Sequence, residues 1–162
     1  MIEQILTARN LSIARNKVIA NKGSSGVDDM KVSDLKDYIQ SHRSKVRTSI
    51  IHRSYKVSPI RGVEIPKGNG KTRLLGVPTV VERWLQQAVS QQLANRFELE
   101  FEKESYGFRP NKNAQQAVLR SQGYINNGYQ DIIDIDLKAF FDEVPHYKLL
   151  QLIYHKVKCP TT

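Results

Sequence analysis

Apolar residues recur with helical spacing at the start of the chain. Residues 3–20 are predicted to form one amphipathic helix, with an inner face made of Ile5, Leu6, Ile13, Val18 and Ile19. Two glycines and small polar residues in Asn21–Gly26 then interrupt the pattern and predict an exposed loop. A second helix is predicted to begin with Ser33 as N-cap and Asp34 in its first turn, while Val46–Tyr55 shows no clear period.

The middle of the chain alternates between apolar and polar residues, which indicates a β-hairpin. Arg61–Pro66 and Thr72–Pro78 are its predicted strands, joined by a glycine-containing turn. Thr79 and Glu82 have the spacing of a capping box and predict the start of a long helix. The core stripe of that helix is Trp84, Leu85, Ala88, Val89, Leu93 and Phe97.

Helical patterns return in the second half, separated by one strand-like run. After a break at Ser105–Pro110, a helix is predicted over about Ala114–Asn127 and is closed by Gly128. Residues 131–142, the acidic segment, begin as an isoleucine-rich run and predict a buried strand followed by a turn. A last helix is predicted from Pro145, with Leu149, Leu150, Ile153 and Val157 inside. The order of elements predicts an α+β fold with too few strands for a complete sheet.

Composition narrows the class of protein. The chain has 162 residues, of which 40% are hydrophobic and 25% charged, as in soluble globular domains. No run approaches the ~18 apolar residues of a membrane span, and the first residues lack the pattern of a signal peptide. Cys159 is the only cysteine, which excludes an internal disulfide and favours a reducing, cytoplasmic setting.

The positive charge is concentrated in the first half of the chain. Residues 1–75 contain 15 Lys and Arg against 6 Asp and Glu, whereas residues 76–162 contain 10 of each. The net charge of +9 therefore lies entirely before residue 76. Such asymmetry is typical of a lobe that faces nucleic acid, and the alternative is a well-solvated basic surface without a ligand.

The acidic segment is the strongest candidate for chemistry. A carboxylate inside a buried strand is costly unless a cation or a donor compensates it, and Mg²⁺ prefers oxygen ligands. Asp136, at the end of the predicted strand, is therefore a candidate metal ligand. The alternative is that Asp136 only caps the following turn. His155 and Cys159 have the spacing of two zinc ligands, but no second pair accompanies them, so we do not predict a zinc site.

Four segments occur in the order found in one protein family. They are Asn21–Asp28, similar to N-K-G-x-x-G-V-D; Ile65–Thr79, similar to I-P-K…R-x-L-G-[IV]-P-T; Ser105–Pro110, matching S-Y-G-F-R-P; and Asp134–Asp142, similar to D-[IL]-K-x-F-F-D. Together they resemble the reverse transcriptases encoded by group II introns, the intron maturases. The resemblance implies an α+β chain, with a helix-rich fingers lobe, its β-hairpin, and the first part of a palm with an incomplete sheet.

The resemblance also implies boundaries. Residues 1–30 would be an N-terminal extension helix and basic lid loop, residues 31–128 the fingers, and residues 129–162 the start of the palm. The family's second acidic motif, a tyrosine, an alanine and two aspartates, is absent from this sequence. We therefore expect a part of a longer protein, inactive as a polymerase by itself, whose exposed apolar palm face favours a homodimer.

Site residues follow from the resemblance as expectations. Asp136 would be the catalytic, metal-binding aspartate, with the Leu137 carbonyl as a neighbouring Mg²⁺ ligand in a two-metal site. Phe141 would pack under the sugar of the dNTP, and the alternative is an ordinary core aromatic. Lys67 and Arg73 would clamp the triphosphate, and the alternative is a pair of solvated turn charges.

Nucleic-acid contacts are implied in the same way. They comprise Arg9, Arg15, Lys17, Lys22, Gly23, Ser24, Ser25 and Arg109. Arg109 would lie near the template and primer, and the alternative is a structural arginine that caps a helix. The basic helix and loop would bind intron RNA mainly through its phosphates and 2′-hydroxyls.

The implied function is an RNA-directed DNA polymerase of a mobile group II intron. Its partners would be intron RNA, template RNA with a DNA primer, and dNTP. The alternative is an RNA-binding maturase module that assists folding and splicing without polymerisation. A further alternative is a retron or diversity-generating reverse transcriptase, but the segments at Asn21–Asp28 and Ser105–Pro110 favour the intron branch.

Overall fold

The computed structural model describes residues 1–68 and 70–158 in two compact units, Met1–Leu93 and Ala94–Thr162. Cys159, the cysteine of the discounted zinc pair, lies outside the described residues. Within the described ranges, every helix is too short or too polar to cross a membrane. The three segments predicted from the resemblance have different boundaries from these units and stay predictions.

The first unit is mainly helical and contains the β-hairpin. Its elements are α1 (Ile2–Ile5), α2 (Ala8–Asn21), a 3₁₀ turn (Val32–Asp34), α3 (Leu35–Ile51), β1 (Arg61–Pro66), β2 (Thr72–Val77) and α4 (Val80–Phe97), which ends in the second unit.

The helix predicted over residues 3–20 is instead two helices, because the chain breaks before Thr7. The Thr7 side-chain oxygen accepts a hydrogen bond from the backbone N–H of Asn10 at 3.3 Å and so caps α2. Ile5, Leu6 and Val18 are buried as predicted, whereas Ile13 and Ile19 are exposed. The break rotates α2 so that Leu11 and Ala14 face the core in their place.

The core of the first unit forms around α4. Trp84 is 1% exposed and donates its indole N–H to the Leu11 carbonyl at 2.9 Å, which joins α4 to α2. Ala88, Val80 and Leu35 are fully buried in the same cluster. The predicted stripe is confirmed at Trp84 and Ala88, and Leu85 packs against the same core, whereas Val89 is exposed.

A buried amide lies beside that core. Asn10 donates from Nδ2 to the carbonyl oxygens of Ile5 and Ala88, both at 2.9 Å. Its Oδ1 accepts from the side-chain amides of Gln91 and Gln92, both at 2.8 Å. Every hydrogen-bonding position of the Asn10 side chain is thus used, and α1, α2 and α4 are held together by polar contacts.

The start of α3 differs from the prediction by one residue. Asp34, rather than Ser33, occupies the N-cap position of α3, and its Oδ2 accepts from the backbone N–H of Lys31 at 3.2 Å. Leu35 is fully buried, and Tyr38 and Ile39 pack against the core as predicted.

The hairpin prediction is confirmed. β1 and β2 pair antiparallel with Ile65 opposite Arg73 and Pro66 opposite Thr72, although β2 ends at Val77, one residue early. Thr79 caps α4 by accepting from the Glu82 N–H at 3.2 Å. The reciprocal half of the capping box is wrong, because Glu82 turns its carboxylate to two groups that precede the hairpin.

The second unit contains the end of α4, a 3₁₀ turn (Glu98–Glu100), α5 (Ala114–Asn126), α6 (Phe140–Glu143) and α7 (His146–Val157). Asn113 and Gln116 form a reciprocal capping box at the start of α5, and Gly128 follows its end with φ +93°. In α7, Val157 is buried as predicted, but Leu149 and Leu150 are exposed.

The predicted acidic strand is wrong. Residues 129–137 have no regular secondary structure, and Ile133 and Ile135 are 84% and 82% exposed. A strand requires a neighbour that pairs with its backbone groups, and the described part of the second unit offers none. Over residues 1–68 and 70–158 the fold is therefore mixed, with helices and one two-stranded antiparallel sheet.

Candidate functional site

Residues 22–28, the glycine loop, are bound to the first turn of α4. Arg83 donates from Nη2 to the Ser24 carbonyl at 2.8 Å and from Nη1 to the Lys22 carbonyl at 3.3 Å. The side chains of Lys22 and Ser24 are exposed. The loop therefore keeps its backbone against α4 while its polar side chains remain accessible.

The two glycines of this loop are favoured for different reasons. Gly23 has φ +105°, and a Cβ there would lie 2.6 Å from Nη1 of Arg83. Gly26 is buried, and a Cβ there would lie 2.6 Å from Cα of Thr79. Gly23 is therefore favoured mainly by its positive φ, since the Arg83 side chain can move, whereas Gly26 is required because the Thr79 backbone cannot.

The far end of the loop is also anchored. Asp28 accepts a hydrogen bond from the Met30 N–H at 3.4 Å. Asp29, with φ +52°, forms an ion pair with Arg61 at the start of β1. The exposed loop predicted from the sequence is thus tied to α4 and to the hairpin.

Sequence reasoning did not identify Arg83. Its partners are two backbone carbonyls that lie 61 and 59 residues earlier in the chain. Backbone groups leave no trace in residue identity, so only the folded chain reveals this contact. The glycines were the available signal, because they mark a close approach without saying to what.

The candidate RNA-contacting residues of α2 differ in accessibility. Arg9 and Lys17 are exposed, whereas Arg15 is half-buried and donates to Asn16 Oδ1 at 2.9 Å. The first unit contains 16 Lys and Arg against 7 Asp and Glu, and the second contains 9 of each. All the excess positive charge therefore lies in the unit that carries α2 and the glycine loop.

Lys67 and Arg73 lie near the tip of the hairpin. Arg73 is paired opposite Ile65, and the Lys67 N–H closes the turn by donating to the Lys71 carbonyl at 2.5 Å. Both side chains are exposed, and within the described ranges neither forms an ion pair. Two cations at one end of a strand pair suit an anionic ligand.

Three of the predicted site residues of the second unit come together around an open depression. This depression, of about 570 Å³, is lined by Ile135, Asp136, Leu137, Ala139, Phe140, Phe141 and Asp142. Phe141 is 86% exposed, so it is not a core aromatic in this structure. Ala139 adopts a left-handed conformation with φ 49° and its carbonyl accepts from the Asp142 and Glu143 N–H groups at 3.0 Å.

The acidic depression does not provide a complete metal site. Among the described residues, no three His, Cys, Asp or Glu side chains are grouped so that they could hold a metal ion. Mg²⁺ keeps its waters unless several anionic ligands replace them. Asp136 fits one carboxylate position of a magnesium site, but the residues present do not fit a two-metal centre.

Arg109 is committed to contacts within the second unit. It binds Glu98 Oε1 through Nη2 at 2.8 Å and through Nε at 3.2 Å. Nη1 donates to the carbonyls of Glu102 and Ser105 at 2.6 and 2.9 Å, and the guanidinium lies 5.1 Å from the centre of the Phe101 ring. Its side chain is 8% exposed, so Arg109 stabilises the turn before α5. Its contact with the template stays a prediction.

Known proteins resemble this chain over most of its length. Residues 65–162 match the family model described as Reverse transcriptase (RNA-dependent DNA polymerase). The chain is 32% identical over 150 residues to the Group II intron-encoded protein LtrA of Lactococcus lactis subsp. cremoris. The aligned region covers 90% of this chain and 24% of LtrA.

Two further relatives cover similar ranges. The Putative COX1/OXI3 intron 2 protein of Saccharomyces cerevisiae is 31% identical over 154 residues, covering 93% of this chain and 17% of that protein. Protein YkfC of Escherichia coli is 28% identical over 153 residues, covering 91% and 40%. The chain thus spans less than half the length of each of these relatives.

Proposed function

Because this chain belongs to the reverse transcriptase family, we propose that it works as part of an RNA-directed DNA polymerase encoded by a mobile group II intron. The family match and the intron-encoded relatives confirm the resemblance carried by the four sequence segments. The activity, substrates and partners of the whole protein are proposals, since the relatives are much longer.

The first unit binds intron RNA and the RNA template in this proposal. The observation that carries it is the confinement of all nine excess positive charges to Met1–Leu93. Arg9, Arg15 and Lys17 on α2, with Lys22, Gly23, Ser24 and Ser25 in the glycine loop, supply the contacts. Cations, hydroxyls and backbone amides are the groups that recognise phosphates and 2′-hydroxyls of A-form RNA.

The incoming nucleotide is assigned to two places in the chain. Lys67 and Arg73 at the hairpin tip bind the triphosphate, supported by their exposure and by the lack of ion pairs to them from described residues. Phe141 contacts the sugar, and Asp136 with the Leu137 carbonyl supplies the first ligands for Mg²⁺. Their placement around one depression supports this grouping.

The isolated chain is proposed to be inactive as a polymerase. The described residues fall short of a two-metal site, as their acids form no group of three. The test is incubation with Mg²⁺, dNTP and a primed RNA template, with the cDNA product measured on a gel. We expect no extension, and a measurable cDNA product would refute the proposal.

RNA binding is tested on the same chain by varying salt. The logarithm of the RNA association constant should fall linearly with the logarithm of the salt concentration, because phosphate binding releases counterions. Charge reversal at Lys17 and Lys22 should flatten that slope, whereas reversal at Lys148, an exposed lysine of α7, should not. Absence of RNA binding by the wild-type chain at low salt would rule out the RNA-binding role.

A second candidate function is an RNA-binding maturase module that assists intron folding and splicing without polymerisation. One contrast favours it: the basic unit is folded, whereas the acidic segment lacks regular structure. Replacing Asp136 by Asn in the longer protein separates the two functions. Polymerase function predicts lost cDNA synthesis with splicing retained, and a maturase alone predicts no change in either measurement.

A further inference from the structure

We propose that Arg83 is the positioning residue that fixes the glycine loop in its RNA-binding shape. The inference rests on the proposed RNA-binding role of that loop and adds a residue that does not itself contact RNA. Arg83 acts through the loop backbone, from the first turn of α4.

The contact uses the fork shape of the guanidinium. Nη1 and Nη2 reach two different carbonyls, those of Lys22 and Ser24, at 3.3 and 2.8 Å. Lysine has one ammonium group and cannot reproduce a planar fork that holds two acceptors at fixed separation. The loop carbonyls accept from Nη1 and Nη2, while Nε of Arg83 is buried without a hydrogen-bond partner among the described residues.

The loop is shaped to receive this side chain. Gly23 brings its Cα so close to Nη1 that a Cβ there would be 2.6 Å away, and its φ of +105° disfavours other residues. Gly26 lies equally close to the backbone of Thr79, four residues before Arg83. Guanidinium and loop are therefore complementary surfaces rather than a chance surface contact.

This geometry favours RNA binding for an electrostatic reason. Carbonyl oxygens directed at a polyanion would repel its phosphates, and Arg83 engages two of them against α4. The exposed side chains of Lys22 and Ser24 are left to face the ligand. A loop that is already ordered also loses less conformational entropy when RNA binds.

The decisive test conserves charge. Arg83→Lys keeps the positive charge but loses the fork, and Arg43→Lys is the matched control on α3, where Arg43 is exposed and has no ion pair with described residues. The probe is a fluorescently labelled RNA hairpin titrated at several salt concentrations. We expect Arg83→Lys to weaken RNA binding by about tenfold, which corresponds to 1.4 kcal/mol. The dependence of its affinity on salt concentration should stay unchanged, and Arg43→Lys should bind as the wild type.

A second measurement does not depend on RNA. Trypsin cleavage after Lys22, followed by mass spectrometry, should be faster in Arg83→Lys and unchanged in Arg43→Lys. Wild-type RNA affinity or wild-type cleavage in Arg83→Lys would overturn the inference. A wild-type chain that binds no RNA at low salt overturns the proposed function, and with it the RNA role of Arg83, while the cleavage rates still report whether Arg83 holds the loop.

Folding of the variants is controlled separately. If Arg83→Lys does not show the wild-type circular dichroism spectrum, Arg83→Gln tests the same contact with Arg43→Gln as its charge-matched control, because a single amide cannot reproduce the fork that reaches both loop carbonyls. Arg83→Gln should bind RNA more weakly than Arg43→Gln and be cleaved faster after Lys22. A folded Arg83→Gln variant with the affinity and cleavage rate of Arg43→Gln would contradict the proposal.

Discussion

The hydroxyl of Tyr55 donates a hydrogen bond of 2.9 Å to Oε1 of Glu82, a buried carboxylate in the first turn of α4. The same oxygen accepts from the backbone N–H of Ser58 at 3.0 Å. The segment after α3 is thus fastened to the start of α4. Burial, followed by the hydrogen bond and charge of Glu82, raises the pKa of Tyr55 well above its usual value.

Replacing Tyr55 by Phe removes one of these bonds. At neutral pH we expect the free energy of unfolding to fall by about 1 kcal/mol, the usual net worth of a hydrogen bond. Tyr147→Phe, at an exposed tyrosine, is the matched control and should change stability little. Chemical denaturation measures both, and equal effects would contradict a specific role for the Tyr55 hydroxyl.

The same pair makes stability depend on alkaline pH. Because the pKa of Tyr55 is raised on folding, the protonated hydroxyl stabilises the folded state fully below about pH 10, the pKa of an unfolded tyrosine. Above that pH the Tyr55 hydroxyl ionises in the unfolded chain before it ionises in the folded one. The free energy of unfolding should therefore decrease as pH rises. The difference between wild type and Tyr55→Phe should therefore shrink above about pH 10, and a difference constant with pH would argue against this.

Asn10→Ala should destabilise the first unit strongly. The substitution leaves the carbonyls of Ile5 and Ala88, and the amides of Gln91 and Gln92, without their buried partner. We expect a loss of about 2–4 kcal/mol, since each unmet buried polar group costs roughly 1–3 kcal/mol. Asn16→Ala, at an exposed position of the same helix, should cost far less, and thermal unfolding of the two variants compares them.

Arg109→Lys should loosen the turn that precedes α5. Lysine cannot serve Glu98, Glu102 and Ser105 together, so we expect a loss of about 2–3 kcal/mol in the second unit. Arg120→Lys is the control, because Arg120 and Glu104 form a half-exposed pair and such pairs contribute little. Hydrogen exchange of residues 101–112 reports the effect, and equal protection in both variants would contradict it.

Gly26→Ala should disturb the start of α4. Its Cβ would lie 2.6 Å from Thr79 Cα, and backbone cannot move aside as a flexible side chain can. Gly107→Ala, which meets nothing within 4 Å, is the control. We expect Gly26→Ala to cost about 2–3 kcal/mol through overpacking and Gly107→Ala to change the melting temperature little; similar melting curves would show that the loop shifts freely.

We expect the exposed isoleucines of the acidic segment to favour self-association. Ile133 and Ile135 are more than four-fifths exposed, and apolar surface of this kind promotes contact with a second copy. Sedimentation should show a concentration-dependent dimer that weakens by at least about a hundredfold when both are replaced by Lys, since each buried side chain contributes roughly 1.5–3 kcal/mol and each 1.4 kcal/mol is about a factor of ten. A monomer at all concentrations would count against a homodimer.

The sequence predicts best where the determinants are local. The hairpin follows from alternation and a glycine turn, both contained in Arg61–Val77, and its strands match the structure closely. The break before Thr7 has a local signal, Thr7 as the N-cap of α2, but apolar spacing does not show it, and the contact that holds Asn10 against α4 involves the distant Ala88 carbonyl. The strand predicted in the acidic segment is wrong because apolar alternation produces a strand only when a neighbouring strand pairs with its backbone groups.

The residues of the candidate site also differ in whether the sequence alone can identify them. Asp136 is a candidate because it lies at the end of an apolar run, whereas Lys22 and Lys67 are candidates through the family resemblance of their segments. Arg83 and the committed contacts of Arg109 depend on backbone carbonyls, which every residue possesses, so only the folded chain shows them.

The dependence of the glycine loop on α4 limits how it could be transplanted. Two segments separated by more than fifty residues, the loop and the Thr79–Arg83 turn, form a single structural cassette. A chimera that received residues 22–28 alone would lose both the fork and the surface on which Gly26 rests. Exchange of this loop between related proteins should therefore succeed only when the first turn of α4 is exchanged with it.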